Sequence, residues 1–345
     1  MIIIFGLLFL IMLLTINVHW EGIDSQYLSK NYTLSIKGVF VIIVFLSHVR
    51  AYTEFTSSTD IWVIEILDYL GQLMVAMFLF YSGYGIYESI KRKGKAYIDS
   101  FPKNRIARIY LDFLISILLF VVLGLFLEKH YSFMNTLLAF TGWTSIGNSA
   151  WYMFTIFVLY ILTYICFKIA RGYNLFAIVA ITILSLGYIY FMSFVKGDYW
   201  LSTYLCYVLG VWYSYYKEKI DGMLQKYNIL YYILFAFIII SYLTLFDLRY
   251  KCLLMFNCVS ILFCLLIVFL SMKISFKSQI LSWLGEHLFW MYFLQRLPMN
   301  VFEYLKLTEY NPYIFMFFSL IVTIILSYYM RKCSQFLQKI CFKSV

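Results

Sequence analysis

The sequence predicts an all-α bundle of transmembrane helices, and three observations carry that prediction. Of the 345 residues, 63% are hydrophobic and 13% charged, and the mean hydropathy is +0.84; soluble domains carry about twice that share of charge. Apolar stretches near the roughly 20 residues that a spanning helix needs recur along the whole chain. No block of soluble composition interrupts them. Residues 1–345 are therefore expected to form a single integral-membrane domain, with an extra amino-terminal helix in 1–20, a core over 30–330 and a basic cytoplasmic tail at 331–345.

Eleven spans are expected, at 2–18, 34–51, 66–88, 107–127, 150–168, 175–195, 199–216, 228–246, 252–272, 280–303 and 311–330. The first has neither a basic flank nor a small-residue cleavage pattern, so it is expected to be a retained helix rather than a signal peptide. The third is followed by Lys91, Arg92, Lys93, Lys95, Lys103, Arg105 and Arg108, and the last by Arg331, Lys332, Lys339 and Lys343. Placing both groups in the cytoplasm also brings Lys168, Arg171, Lys217, Lys219, Lys226, Lys273 and Lys277 inside. The amino terminus is then outside and the carboxy terminus cytoplasmic. This distribution accounts for the net charge of +10 without a nucleic-acid partner. The external loops are short. The longest, about Glu128 to Ala150, is semi-apolar and suited to an interfacial or re-entrant segment.

The seven cysteines are scattered without metal-site spacing, so neither disulfides nor a metal site is expected. The polar groups inside the spans are more informative, because ionisable side chains there are costly and mark function. Lys37 and His48 lie eleven residues apart in the second span, about three helical turns, which puts them on one side and roughly 16 Å apart along the axis. Lys37 falls at the inner end and His48 at the outer end. A histidine suits proton transfer near neutral pH; a structural histidine bonded to a neighbouring helix is the alternative.

Phe78 to Gly85 (FLFYSGYG) interrupts an aromatic run with Ser82 and two glycines, and glycine permits close approach by a ligand or a helix. Arg105 and Arg108, three apart at the start of the fourth span, are expected to share a face and suit phosphate contacts. Asn148 to Phe154 opens the fifth span with Trp151 and Tyr152, an interfacial aromatic belt or a stacking surface for a sugar. Leu281 to Met299 places Glu286, His287, Gln295 and Arg296 in one span, too many polar groups for a lipid-facing helix. Glu286 and His287 are expected to be a solvated pair near the inner surface, without a catalytic role.

These segments, in this order, resemble membrane-bound acyltransferase family 3, whose members move acyl groups, commonly acetyl, onto carbohydrates. Lys37 and His48 match its basic residue, ten intervening residues and histidine; Phe78 to Tyr84 is similar to its F-F-x-x-S-G-[FY] segment; Arg105 and Arg108 match R-x-x-R. Trp151 and Tyr152 match its W-[YF], and Gly285 to Gln295 its late G-x-x-[SL]-x-x-[IM]-Y-x-[LF]-[HQ]. Lysine stands at 37 where arginine is commoner, and glutamine at 295 where many members have histidine.

The resemblance implies a carbohydrate O-acetyltransferase of the bacterial cytoplasmic membrane, acting on a surface, capsular or exopolysaccharide or its lipid-linked precursor. No permanently bound cofactor is implied; acetyl-CoA is the co-substrate, and the acceptor and the lipid bilayer are the other partners. Catalysis would fall to His48 and Lys37, donor binding to Arg105, Arg108, Ser82, Gly83 and Lys37, and acceptor binding to Trp151, Tyr152 and Asn148, with Tyr292 and Gln295 as further candidates. A polysaccharide polymerase or export protein, or a transporter without acyl transfer, is the alternative.

Overall fold

The computed structural model describes residues 1–342, so residues 343–345 of the expected basic tail, Lys343 among them, lie outside the described residues. The chain is a helix bundle. Its elements, in order, are α1 (Ile2–Thr15), β1 (Ile16–Val18), α2 (Lys30–Val49), α3 (Ser58–Leu70), α4 (Leu73–Lys93) and α5 (Lys95–Phe101). A π-helical turn, Pro102–Ala107, leads into α6 (Arg108–Phe126), followed by α7 (Phe133–Ala139), α8 (Trp151–Ala170), α9 (Asn174–Met192), α10 (Leu205–Lys226), α11 (Asn228–Phe246) and α12 (Leu253–Lys273). The chain closes with β2 (Ile274–Phe276), α13 (Gln279–Glu286), α14 (Leu288–Leu294), α15 (Arg296–Tyr304), α16 (Leu307–Tyr310) and α17 (Pro312–Cys341).

Eight of the expected spans coincide with helices long and apolar enough to cross a membrane among the described residues. The other three depart from a continuous apolar span. Residues 2–18 form a 14-residue helix and then a strand that pairs antiparallel with β2, Ile16 opposite Phe276. The segment expected at 199–216 opens in a short 3-10 turn, Asp198–Trp200, becomes α-helical only from Leu205 and runs on to Lys226, through Lys217, Glu218, Lys219 and Asp221. The segment 280–303 breaks at His287 and again at Gln295. Pro298 accounts for the second break: it has no N–H for the Leu294 carbonyl, and its ring crowds that turn.

Cap chemistry sets several boundaries. The Asn311 side chain accepts from the amides of Tyr313 and Ile314 at 2.9 and 3.1 Å, with Pro312 at the first helical position of α17. Ser278 caps α13 by accepting from Leu281 N at 3.2 Å.

The loops fall at two ends. At the basic end, β1 lies on β2, the Tyr27 hydroxyl donates to Asp221 at 2.7 Å, Lys168 reaches Asp99 at 2.5 Å, and Arg331 reaches Glu286 at 2.8 Å. At the opposite end, Tyr313 donates to Asp60 at 2.8 Å and Lys196 to the Trp143 carbonyl at 2.9 Å. Between them, α2 is the innermost long helix, with 72% of its apolar stretch buried against 17% for α11.

Two glycine contacts fix what surrounds α2 and α4. A Cβ at Gly38 would overlap the Leu281 carbonyl, and one at Gly285 would overlap that of Leu34, so α2 and α13 cross backbone to backbone one turn apart on each helix. Gly83 and Gly210 do the same for α4 and α10, against the carbonyls of Tyr207 and Phe80. The first crossing carries the broken segment 279–304 alongside α2. Tyr292 consequently comes to face His48, their rings 6.1 Å apart.

Candidate functional site

Lys37 and His48 stand at opposite ends of the same buried helix, each in its own setting. Lys37 lines a cavity of about 490 Å³ at the basic end, together with Lys30, Thr33, Tyr81, Tyr84, Glu88, Ser89, Arg92 and Arg105. Its ammonium lies 5.0 Å from the centre of the Tyr81 ring, a cation–π arrangement. Four cations line this space against the single carboxylate of Glu88, which is itself paired with Lys91 at 2.6 Å. The cavity is therefore strongly cationic and walled by aromatic rings. Such a field in a low-dielectric wall concentrates an anionic ligand.

Lys30 precedes Lys37 by seven residues, two helical turns, so the sequence already put it on the Lys37 face. Arg105 arrives from a different part of the chain, and the structure separates it from Arg108. Arg105 lines the cavity; Arg108 does not, and its guanidinium sits 5.5 Å from the Phe342 ring. The two arginines were expected to share a face, and the π-helical turn Pro102–Ala107 corrects that. Its wider i→i+5 turn changes the rotation per residue and throws a side chain three positions on away from the α-helical face.

Ser82 and Gly83 also divide. The Ser82 hydroxyl shares a hydrogen bond of 2.7 Å with Tyr160 of α8. Gly83 has its open side filled by Tyr207 of α10, so it serves helix packing and presents no free face to a donor. Tyr160 was not singled out in the sequence because nothing local marks it. Its ring packs on Phe101 at 5.7 Å and on Tyr207 at 6.3 Å, and Arg105 lies within electrostatic reach of it.

From the start of α8, two aromatic side chains lead to His48. Tyr152, one of the residues expected to meet an acceptor, is half-buried two turns along α8 from Tyr160, with its ring 5.6 Å from that of Tyr292. Tyr292 in turn faces His48. Trp151 turns the other way and meets Tyr199 edge-on at 6.4 Å. Adjacent residues of a helix point about 100° apart, which is why the pair Trp151 and Tyr152 cannot serve one surface.

The His48 ring is half-buried, and its Nδ1 is buried with no hydrogen-bond partner. Gln295 is the neutral polar side chain that acts on it, and Arg296 the charge. The Gln295 amide donates to the Tyr292 carbonyl at 2.9 Å, which leaves its Oε1 buried and unpartnered. Asn148 stabilises its own loop by accepting from Ile146 N at 3.1 Å with Oδ1, while its Nδ2 is buried and unpartnered. Buried polar atoms without partners are costly, and two of them, His48 Nδ1 and Gln295 Oε1, lie together. His287, by contrast, is accounted for: Nδ1 lies 2.8 Å from the Trp283 carbonyl, and the ring stacks on Trp283 at 3.9 Å. Among the described residues no group of three or more His, Cys, Asp or Glu side chains forms a metal site.

The arrangement thus holds a cationic cavity at one end of α2 and a half-buried histidine at the other, with the Ser82–Tyr160 pair and the Tyr152–Tyr292 pair on the helices between them. No curated protein and no solved structure matches the chain. A family model described as an acyltransferase domain, that of acyltransferase family 3, matches residues 34–332, from the start of the Lys37 helix to just beyond Arg331. The chain belongs to this family and is an integral-membrane acyltransferase.

Proposed function

We propose that the protein takes acetyl from cytoplasmic acetyl-CoA and places it on a hydroxyl of a surface, capsular or exopolysaccharide, or its lipid-linked precursor, in a bacterial cytoplasmic membrane. The observation that carries the reading is the cavity of Lys30, Lys37, Arg92 and Arg105, four cations with one already paired carboxylate. The phosphates of a nucleotide-bearing acyl donor match that field. Its uncharged pantetheine arm has the length and polarity to follow the Ser82, Tyr160, Tyr152 and Tyr292 side chains toward His48.

At the far end His48 acts as general base. It removes the proton of the sugar hydroxyl as the oxygen attacks the thioester carbonyl; the tetrahedral adduct then collapses, the C–S bond breaks, and the leaving thiolate takes the proton back from the imidazolium. Gln295 Oε1 lies among the unpartnered groups beside His48. Accepting the Nδ1 proton there would leave Nε2 free as the base. Trp151 and Asn148, at the mouth of α8, border the acceptor side.

The test is transfer of radiolabelled acetyl from acetyl-CoA to isolated polysaccharide by membranes carrying the protein. Wild type should label the glycan and His48→Ala should not, although the variant inserts and folds. No labelling by the wild type would overturn the reading, and full labelling by the variant would overturn the role of His48 in it.

A further inference from the structure

A second cationic group lies at the His48 end, where the positive-inside rule offers no reason for it. Arg296 opens α15 directly after Gln295, and its charge acts on His48, Tyr52 and Tyr292. Its Nε is buried without a hydrogen-bond partner, and no carboxylate lies within ion-pair distance of the guanidinium among the described residues. A half-buried arginine left in this state costs free energy that a ligand's charge would recover.

The surroundings add a second cation from a separate element. One turn along α15 from Arg296, Asn300 Oδ1 accepts from Lys129 Nζ at 3.3 Å and from the Tyr52 hydroxyl at 3.4 Å. The Asn300 amide nitrogen lies against Gly147, 3.4 Å from where a Cβ would sit, beside the Tyr131 hydroxyl. Three segments therefore converge beside His48: the end of α2, the loop from Glu128 to Ala150, and α15. The acidic counterpart nearby is Glu303, on the exposed flank of α15, which pairs with neither cation.

We propose that Arg296, with Lys129 and Asn300, reads an anionic substituent, a carboxylate or a phosphate, on the sugar that His48 acylates. The inference rests on the acyl-transfer reading and narrows it to acidic acceptors. A planar guanidinium forks onto either group through two hydrogen bonds. Asn300 holds Lys129 by its Oδ1, one turn from Arg296, and offers its own amide N–H groups. Arg296 is thus an acceptor-binding residue, and its distance in sequence from Lys129 keeps the two separable by mutation.

Binding can be read without catalysis, by saturation-transfer NMR on the full chain in phosphatidylcholine nanodiscs with glucuronate, glucose 6-phosphate and glucose. At least one of the anions should receive saturation well above glucose, and the stronger one identifies the group. Arg296→Gln should weaken that binding about 10- to 100-fold, the range of a charge-assisted pair, and Lys129→Gln by less, while Lys251→Gln on an exposed loop at the same end leaves it intact. Lys129 is exposed, so its variant stays informative if Arg296→Gln fails to fold. Equal signals from glucose and both anions, an unchanged signal in both variants, or displacement of the sugars by phosphatidylglycerol would overturn the proposal. A fall in kcat that is equal for acidic and neutral acceptors would do so as well, because it would place Arg296 in the transition state. Acid-sugar binding by a wild-type protein that transfers no acetyl from acetyl-CoA would instead remove the acyl-transfer reading and leave this one standing.

Discussion

The two ends of α2 solve opposite problems. Around Lys37 the protein accumulates charge, with Lys30, Arg92 and Arg105 facing one cavity and aromatic rings between them. Around His48 it leaves neutral polar atoms unsatisfied, namely His48 Nδ1 and Gln295 Oε1, with Arg296 beside them. The first is an electrostatic trap, whose strength depends on the sum of charges and tolerates exchange of one cation for another. The second is a geometric site, where one nitrogen must sit within hydrogen-bond reach of one hydroxyl. The difference teaches what one long helix carrying both would achieve: in the proposed reaction its rigid rise would separate binding of the donor's phosphates from the chemistry by a fixed distance.

The comparison predicts a graded series of losses. Replacing His48 by alanine removes the base and should lower kcat by roughly a thousandfold, the scale of general-base catalysis, with little change in the donor KM; a loss under tenfold would break the geometric account of that end. Gly285→Leu should come next. Its side chain has no room against the Leu34 carbonyl, so α13 must move away from α2, destabilising the fold by about 1–3 kcal/mol and carrying Tyr292 and Gln295 away from His48. Thermal unfolding in detergent, read with activity, checks both effects, and an unshifted melting temperature would contradict the crossing.

Arg105→Gln should raise the donor KM about 10- to 100-fold by removing one charge-assisted phosphate contact, and Arg105→Lys should restore most of it if the cavity acts as a summed field. Arg108→Gln should have the smallest effect, less than about threefold on the donor KM, because its guanidinium packs on Phe342 outside the cavity. Equal effects of the two substitutions in donor titrations would mean that both arginines meet the donor and would erase the distinction drawn from the π-helical turn.

Much of the bundle was legible in the sequence, because a membrane span announces itself by length and composition alone. The segments that escaped are those where a local rule was overridden. Residues 280–303 have the apolar content of a span, yet Pro298 and the polar pair Glu286 and His287 break them into three helices. The 3.6-residue period correctly joined Lys37 to His48, since α2 is a regular helix, and misplaced Arg108, since Pro102–Ala107 is not α-helical. Lys30 was available from the same period. Tyr160 and Arg92 reach the site from α8 and α4 by tertiary packing, and no single segment records which helix a glycine such as Gly38 or Gly83 will meet. The orphaned polar atoms around His48 were equally invisible, because an unmet hydrogen bond is a property of the assembled site.

The central claim is that the donor enters at the Lys37 end and the acetyl group leaves at the His48 end. Sealed membrane vesicles of defined orientation test it most directly, with membrane-impermeant radiolabelled acetyl-CoA supplied on one face and acceptor polysaccharide on the other. The account predicts labelled glycan only when acetyl-CoA meets the face that carries Arg105 and the acceptor meets the face that carries His48. Labelling with both substrates confined to the His48 face would contradict it.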